Sequence, residues 1–338
     1  MNSGGFDDTS SLARGYVIAL VSAAILSTTA VFIRYLTVAY RMPPLVLAFW
    51  RDGFVTLTLA MVLGVVRPHL LRVKRQYVSY LLFYGLTLAI FNALWTFAVA
   101  SVGAAMGTLL VYCSAAFTAL LGWWFLKEHL GWAKLLAVAL SLAGCALVSG
   151  VLDMAVWRLS LVGVAAGILS GLGYSIYSLM GRSASQRGLN PWTTVLYTFG
   201  FAAIFLLFFN LLPGIASPAA NGGARDLFWL GKSVAGWGLL LILAAGPTVM
   251  GFGLYNVSLG YLPSSVANLI LTVEPVFTAA IAWSLLGERL SATQMGGGAM
   301  ILTAVVFLRI HEGRGARLAW VRSPLDGERP VADEWPPA

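Results

Sequence analysis

The chain alternates long apolar runs with short polar breaks. A helix rises about 1.5 Å per residue, so about 20 apolar residues cross a bilayer core. Ten runs have that character, over 15–38, 44–66, 77–98, 102–126, 131–151, 159–181, 191–212, 235–257, 262–286 and 291–310. Pro43, Pro44, Pro191 and Pro263 fall at or near starts of runs, where a missing N–H costs little. Most breaks are short, so neighbouring helices are expected to run antiparallel. The break from Pro213 to Lys232, rich in Pro, Gly, Ser and Asn, is expected to be a surface loop. From about Glu312 the chain turns polar and carries Arg314, Arg317, Arg322, Pro324 and Pro330, which predicts a disordered tail. The expected organisation is a polar N-terminal segment (1–14), two five-helix units (15–151 and 159–310) and the tail (312–338).

Composition agrees with lipid as the solvent. Of 338 residues, 59% are hydrophobic and 10% charged, against about a quarter charged in soluble domains. The net charge of +8 is spread in small clusters between runs, which argues for membrane topology rather than nucleic-acid binding. With the N-terminus in the cytoplasm, fourteen Lys and Arg fall inside and five outside, Arg34 and Arg51 being within runs. Both termini are therefore expected in the cytoplasm, and the membrane to be the cell's inner one. Cys113 and Cys145, both inside apolar runs, are expected to be small buried hydrophobes without metal spacing.

One phrase is written twice. Ala116–Leu130 is AFTALLGWWFLKEHL and Val276–Leu290 is VFTAAIAWSLLGERL, identical at seven of fifteen positions at an offset of 160. The copies end the fourth and ninth runs. Five spans separate them, an odd number, so the copies run in opposite senses across the membrane. That is an inverted-topology repeat, a pattern of secondary transporters whose solute binds near midplane between halves. Ala24–Ser27 matches Gly167–Ser170 at an offset of 143, Pro44 matches Pro191, and Trp95 matches Tyr255 at the 160 offset. The fold class expected is an all-α integral membrane protein, ten transmembrane helices as two five-helix inverted repeats around a central cavity.

The ninth-run phrase NLILTVEPVFTAAIAWSLLGERL (Asn268–Leu290), its fourth-run counterpart and the aromatic ends of the third and eighth runs carry a family resemblance. Over about 15–310 the chain resembles EamA-type members of the drug/metabolite transporter superfamily, and among them the YddG-type aromatic amino-acid exporters. The resemblance implies transport of small solutes, with one ten-helix chain sufficient. One departure is that Ser114-Ala115 stands where the ninth run has Glu274-Pro275, so the halves differ chemically.

Residues three and four apart share a helix face. On that basis Ser265, Asn268 and Thr272 form a stripe in the ninth run, with Thr108 and Tyr112 at the repeat-related positions of the fourth. Ser170, Tyr174 and Tyr177 form one in the sixth; Tyr84, Asn92 and Trp95 in the third; Asn256 lies beside the Tyr255 match. Polar atoms facing lipid are costly, so these groups are expected either to line an aromatic-walled cavity suited to an amphiphilic solute or to join helices. Glu274, deep within a span, is a candidate for ammonium binding or proton exchange, or for satisfying neighbours at the Pro275 kink. Arg51 and its neighbour Asp52 do not face each other on an ideal helix, so each is expected to find another partner or to snorkel; Arg34 is expected to snorkel. Either arginine is a candidate for a solute carboxylate. Gly246-Pro247 is expected to be a flexible or broken point. Glu128 and Glu288 each precede a new run and are expected to cap the helix that follows.

The leading function is a secondary transporter exporting small amphiphilic metabolites, amino acids foremost, aromatic and other neutral ones. Multidrug or quaternary-cation export is the alternative. No phosphate-binding Gly-Lys-Ser/Thr loop is present, and His69, His129 and His311 lie at span ends or in loops, so neither ATP hydrolysis, an intramembrane enzyme, a cofactor nor a metal is expected. The expected partners are a small-molecule solute and the bilayer, without nucleic acid.

Overall fold

The computed structural model describes residues 4–114, 117, 121, 132–148, 157–212, 226–262, 267, 270–271 and 273–322. Their regular structure is entirely helical. The helices are α1 (Gly4–Ala39), α2 (Pro44–Val66), α3 (Val78–Val102), α4 (Ala104–Val111), α5 (Trp132–Val148), α6 (Trp157–Gln186), α7 (Pro191–Leu211), α8 (Val234–Leu243), α9 (Val249–Tyr261), α10 (Glu274–Leu286) and α11 (Ala292–Arg322). Among the described residues six helical stretches are long and apolar enough to cross a membrane: Arg14–Ala39, Pro44–Val66, Arg75–Val102, Leu161–Gln186, Pro191–Leu211 and Val234–Tyr261.

The helices are built as the proline and polar punctuation predicts. Pro44 and Pro191 occupy the first turns of α2 and α7, where no N–H is missed. The Asn190 side chain accepts the Trp192 N–H, Ser233 Oγ that of Gly236 and Ser291 Oγ that of Gln294, so the starts of α7, α8 and α11 have local side-chain caps. Gly103, at φ +96°, makes the turn from α3 into α4, a backbone conformation that a side chain resists.

Burial differs from that of a water-soluble protein: beside an apolar core, large apolar side chains also cover the outside and many polar ones are withdrawn inside. Val65, Val162 and Leu285 are 86%, 70% and 72% exposed. Ser22, Ser27, Arg51, Asp52, Asn92, Thr96, Thr198 and Asn256 are buried. Apolar groups outside and polar groups inside is the arrangement a lipid solvent selects.

Helix packing follows a pattern across the two units. α1 packs on α9 and α3 on α6; α1 packs on α10 and α4 on α6; α2 meets α7, α4 meets α10 and α5 meets α11. Small residues allow the closest approaches. A Cβ on Gly171 of α6 would stand 2.9 Å from the Val111 carbonyl oxygen, and one on Gly144 of α5 would stand 2.7 Å from that of Gly297.

Several expectations change. Helix α11 continues to Arg322, where a disordered tail was expected from Glu312; the segment holds Arg314, Ala316, Arg317, Leu318 and Ala319, good helix formers that extend an existing helix without a new nucleus. Likewise α1 begins at Gly4, inside the polar N-terminal segment. Gly246-Pro247 does not break its helix. Ala244–Thr248 forms a π-helical turn between α8 and α9, which absorbs the N–H that Pro247 lacks. Thr248 Oγ1 bonds the Leu243 carbonyl at 2.8 Å across this turn. Cys113 is disulfide-bonded, not the free small hydrophobe expected; the Cys145 side chain lies outside the described residues. In the 213–232 loop, 213–225 lie outside them too, while Asp226–Phe228 forms a short 3-10 turn. Trp50 Nε1 donates to the Leu227 carbonyl at 2.6 Å and Trp229 Nε1 to that of Tyr40 at 3.1 Å, so this part is docked on the bundle.

Candidate functional site

Two helices stop at related places. α4 ends at Val111, and Tyr112-Cys113 forms a turn. α10 starts at Glu274 after a turn at Val273, which lies 160 positions beyond Cys113. Pro275 sits in the first turn of α10, so it opens a new helix rather than kinking a continuous one. Glu274 thereby stands in the first turn, where the helix dipole favours a carboxylate.

A cavity of about 40 Å³ lies at these interruptions. Its walls come from α1 (Leu26), α3 (Phe91, Trp95), the α4 end (Thr108, Val111, Tyr112), α6 (Tyr174), α9 (Phe252, Tyr255) and the α10 start (Leu271, Glu274). Two pairs of these, Trp95 with Tyr255 and Val111 with Leu271, are related by the 160 offset. The Tyr112 hydroxyl bonds the Leu271 carbonyl and lies 3.1 Å from Glu274 Oε2. The aromatic rings touch one another: Phe91–Trp95 at 6.3 Å, Phe91–Tyr174 at 5.7 Å and Tyr174–Tyr255 at 6.4 Å between centroids. The volume admits a few water molecules, whereas small-molecule sites run to about 300–1,000 Å³. The site is therefore collapsed on its own walls in this conformation.

A polar layer adjoins it. Tyr84 and Tyr177 pack at 4.8 Å between centroids. Asn256 Nδ2 donates to the Tyr177 hydroxyl at 3.2 Å and to the Phe252 carbonyl at 2.8 Å, and Tyr255 donates to Ser178 Oγ at 3.1 Å. Arg51 and Asp52 are fully buried, with Nε 3.2 Å from Oδ1, and Asn92 Nδ2 donates to Asp52 Oδ2 at 2.7 Å. The Arg51 Cζ lies 5.7 Å from the centroid of the Trp95 ring.

Of the sequence candidates, Trp95, Thr108, Tyr112, Tyr174 and Glu274 line the cavity. Tyr84, Asn92, Tyr177 and Asn256 belong to the adjoining layer. Ser170 does neither; its hydroxyl bonds the Gly167 carbonyl of its own helix at 2.7 Å. Ser265, Asn268, Thr272 and Glu128 lie outside the described residues. Arg51 and Asp52 do meet each other, contrary to the expectation for adjacent residues, because the long arginine stem folds back to the carboxylate. Asp52 also has the further partner expected of it, in Asn92. Leu26, Phe91, Val111, Phe252 and Leu271 were missed, since apolar lining looks like any lipid-facing residue in sequence; Tyr255 stands out in sequence only as the Trp95 match.

A second, more polar pocket of about 240 Å³ is lined by Arg34, Gly103, Met106, Glu288, Arg289 and Gln294, among others. Glu288 does cap a helix, but not the one that follows it. Its carboxylate accepts the Ala104 N–H at 3.0 Å and the Ala105 N–H at 3.3 Å, at the start of α4 in the other unit. Arg34 has defined partners here: Nε pairs with Glu288 at 3.1 Å and Nη1 donates to the Ala100 carbonyl. Glu288→Ala removes this cap and the part-exposed ion pair, and is expected to cost about 1–2 kcal/mol. Thermal unfolding in detergent checks this; an unchanged midpoint would mean that the tie contributes nothing.

An all-helical bundle with an apolar exterior and an aromatic, carboxylate-bearing cavity at two interrupted helices is a multi-pass membrane protein of transporter type. The chain belongs to the EamA-like transporter family, within the drug/metabolite transporter superfamily: the family model matches it twice, over residues 13–150 and 161–310. An uncharacterized transporter of Archaeoglobus fulgidus is 28% identical over 225 residues, covering 65% of this chain and 74% of that one. A Salmonella typhimurium protein named a probable amino-acid metabolite efflux pump is 26% identical over 285 residues, covering 83% and 90%. A solved crystal structure shares the fold with a TM-score of 0.59 at 16% identity, covering 88% of this chain and 98% of that one.

Proposed function

We propose that the chain is a secondary transporter that exports small amphiphilic metabolites, neutral and aromatic amino acids foremost, by alternating access at the cavity between α3, α4, α6, α9 and α10. The observation that carries this reading is the cavity itself, aromatic-walled and placed where two helices related by the 160 offset are interrupted, with the Glu274 carboxylate on its wall. Aromatic faces and a carboxylate suit an ammonium-bearing solute.

We infer further that ten helices form two inverted five-helix halves. Exchanging the halves carries the α1–α9 contact into α6–α3 and α1–α10 into α6–α4, and leaves α2–α7, α4–α10 and α5–α11 in place. The doubled family match supports the same division. The π-turn at Gly246-Pro247 and the start of α10 at Pro275 are the hinges of this reading, and both termini face the cytoplasm by the distribution of Lys and Arg.

The test is uptake into proteoliposomes of a labelled panel: phenylalanine, leucine, methionine and tetraphenylphosphonium, with and without a pH gradient. Saturable movement of the amino acids, absent from protein-free vesicles, is expected. Movement of the organic cation alone would favour the multidrug alternative, to which aromatic walls and the Glu274 carboxylate are also suited. Movement of none would overturn the reading.

A further inference from the structure

The Arg51 guanidinium is poorly served for a buried charge. Its side chain is 0% exposed, and of its three nitrogens only Nε is bonded, to Asp52. Nη1 and Nη2 are both buried and make no hydrogen bond. Buried donors are nearly always satisfied, and an unsatisfied charged one is costly. Asp52 is itself engaged on its other oxygen by Asn92, so its two oxygens already serve Arg51 Nε and Asn92. The two idle nitrogens are those whose planar fork matches a carboxylate.

The position fits a solute. Arg51 is not on the cavity wall, but its Cζ lies 5.7 Å from the centroid of Trp95, a ring that is on that wall. Asn92, which holds Asp52, stands one helical turn before Trp95 on α3. The cavity is collapsed, with the aromatic rings in contact. Space for a solute therefore has to come from displacement of a wall residue, and Trp95 is the one that covers an unfilled binding group. Asp52 shares the single positive charge through Nε, so what remains to offer is the pair of donors on Nη1 and Nη2, which a carboxylate can accept side by side, and Glu274 across the cavity complements an ammonium.

We propose that Arg51 is the carboxylate-binding residue of the transport site and Trp95 the shutter that covers it in this closed conformation, so that the substrate class is zwitterionic amino acids. This rests on the transport reading above. In a loaded site the carboxylate takes Nη1 and Nη2, and the cation–π contact with Trp95 gives way to an ion pair.

The experiment compares uptake of L-phenylalanine and L-leucine with uptake of their amides, which keep the ammonium and lose the carboxylate. It uses proteoliposomes of the wild type, Arg51→Gln and Arg51→Lys. The wild type is expected to favour the acids over the amides at least tenfold in kcat/KM. Arg51→Gln is expected to lose tenfold or more on the acids and to stay within twofold on the amides, which a merely structural role would not do. Arg51→Lys keeps the charge without the fork and is expected to retain part of the preference; it carries the test if Arg51→Gln does not fold. A wild type without preference, variants that keep the full preference, or variants that lose acids and amides equally would each overturn the assignment. A wild type that moves none of the four probes would overturn the transport reading as well, so the two failures are separable.

Discussion

Asp52→Ala is expected to destabilise the detergent-solubilised protein by about 3–5 kcal/mol, because removing one partner of a buried ion pair leaves the other charge uncompensated. The pair is wholly buried, with both side chains 0% exposed. The change also takes the acceptor from Asn92 Nδ2, a second buried donor. Asp52→Asn loses the charge and one of the two acceptors but keeps an acceptor for Arg51, and its NH2 can donate to the idle Asn92 Oδ1 if that amide turns over, so a smaller loss is expected. Thermal or denaturant unfolding of the three proteins checks the order wild type, Asp52→Asn, Asp52→Ala. Coincident curves would mean that Arg51 finds solvent or another partner and that the pair is not a buried one.

Glu274→Gln is expected to lower transport of ammonium-bearing solutes roughly 30-fold with little loss of stability. The substitution preserves shape and an acceptor for Tyr112, which lies 3.1 Å from Oε2. It removes the charge from a wall whose other lining residues are aromatic, aliphatic or hydroxyl-bearing and uncharged. Truncating one partner of a buried charge pair costs about 2–5 kcal/mol, and the lower figure corresponds to about 30-fold. Initial rates in proteoliposomes, with unfolding measured in parallel, separate the two readouts. Rates within twofold of wild type across the pH range would assign Glu274 to holding its neighbours instead.

Much of this site was legible because deep polar residues are rare in an apolar chain, and aromatic residues that share a helix face with them stand out. Trp95, Tyr112, Tyr174 and Glu274 were found that way, and all line the cavity. Three features were not legible, each for a physical reason. The Arg51–Asp52 contact depends on how a flexible four-bond stem folds, which helical spacing does not constrain. The Glu288 cap joins residues 184 apart in sequence to the α4 start, so local capping rules chose the wrong helix. The end of α4 at Val111 carries no proline or glycine; only its relation by 160 positions to the Pro275 interruption marks it. The bounds of α11 were missed because a polar extension can remain helical by growing from a helix already formed.

The inverted relation of the two halves underlies the whole account, and sidedness measures it directly. His129 and Arg289 are the residues that follow the two repeated glutamates. Single cysteines placed there, in oriented vesicles, would be treated with a membrane-impermeant maleimide from each face in turn. Reaction of the first from the cytoplasmic face and of the second from the opposite face is expected; reaction of both from one face would contradict the inversion.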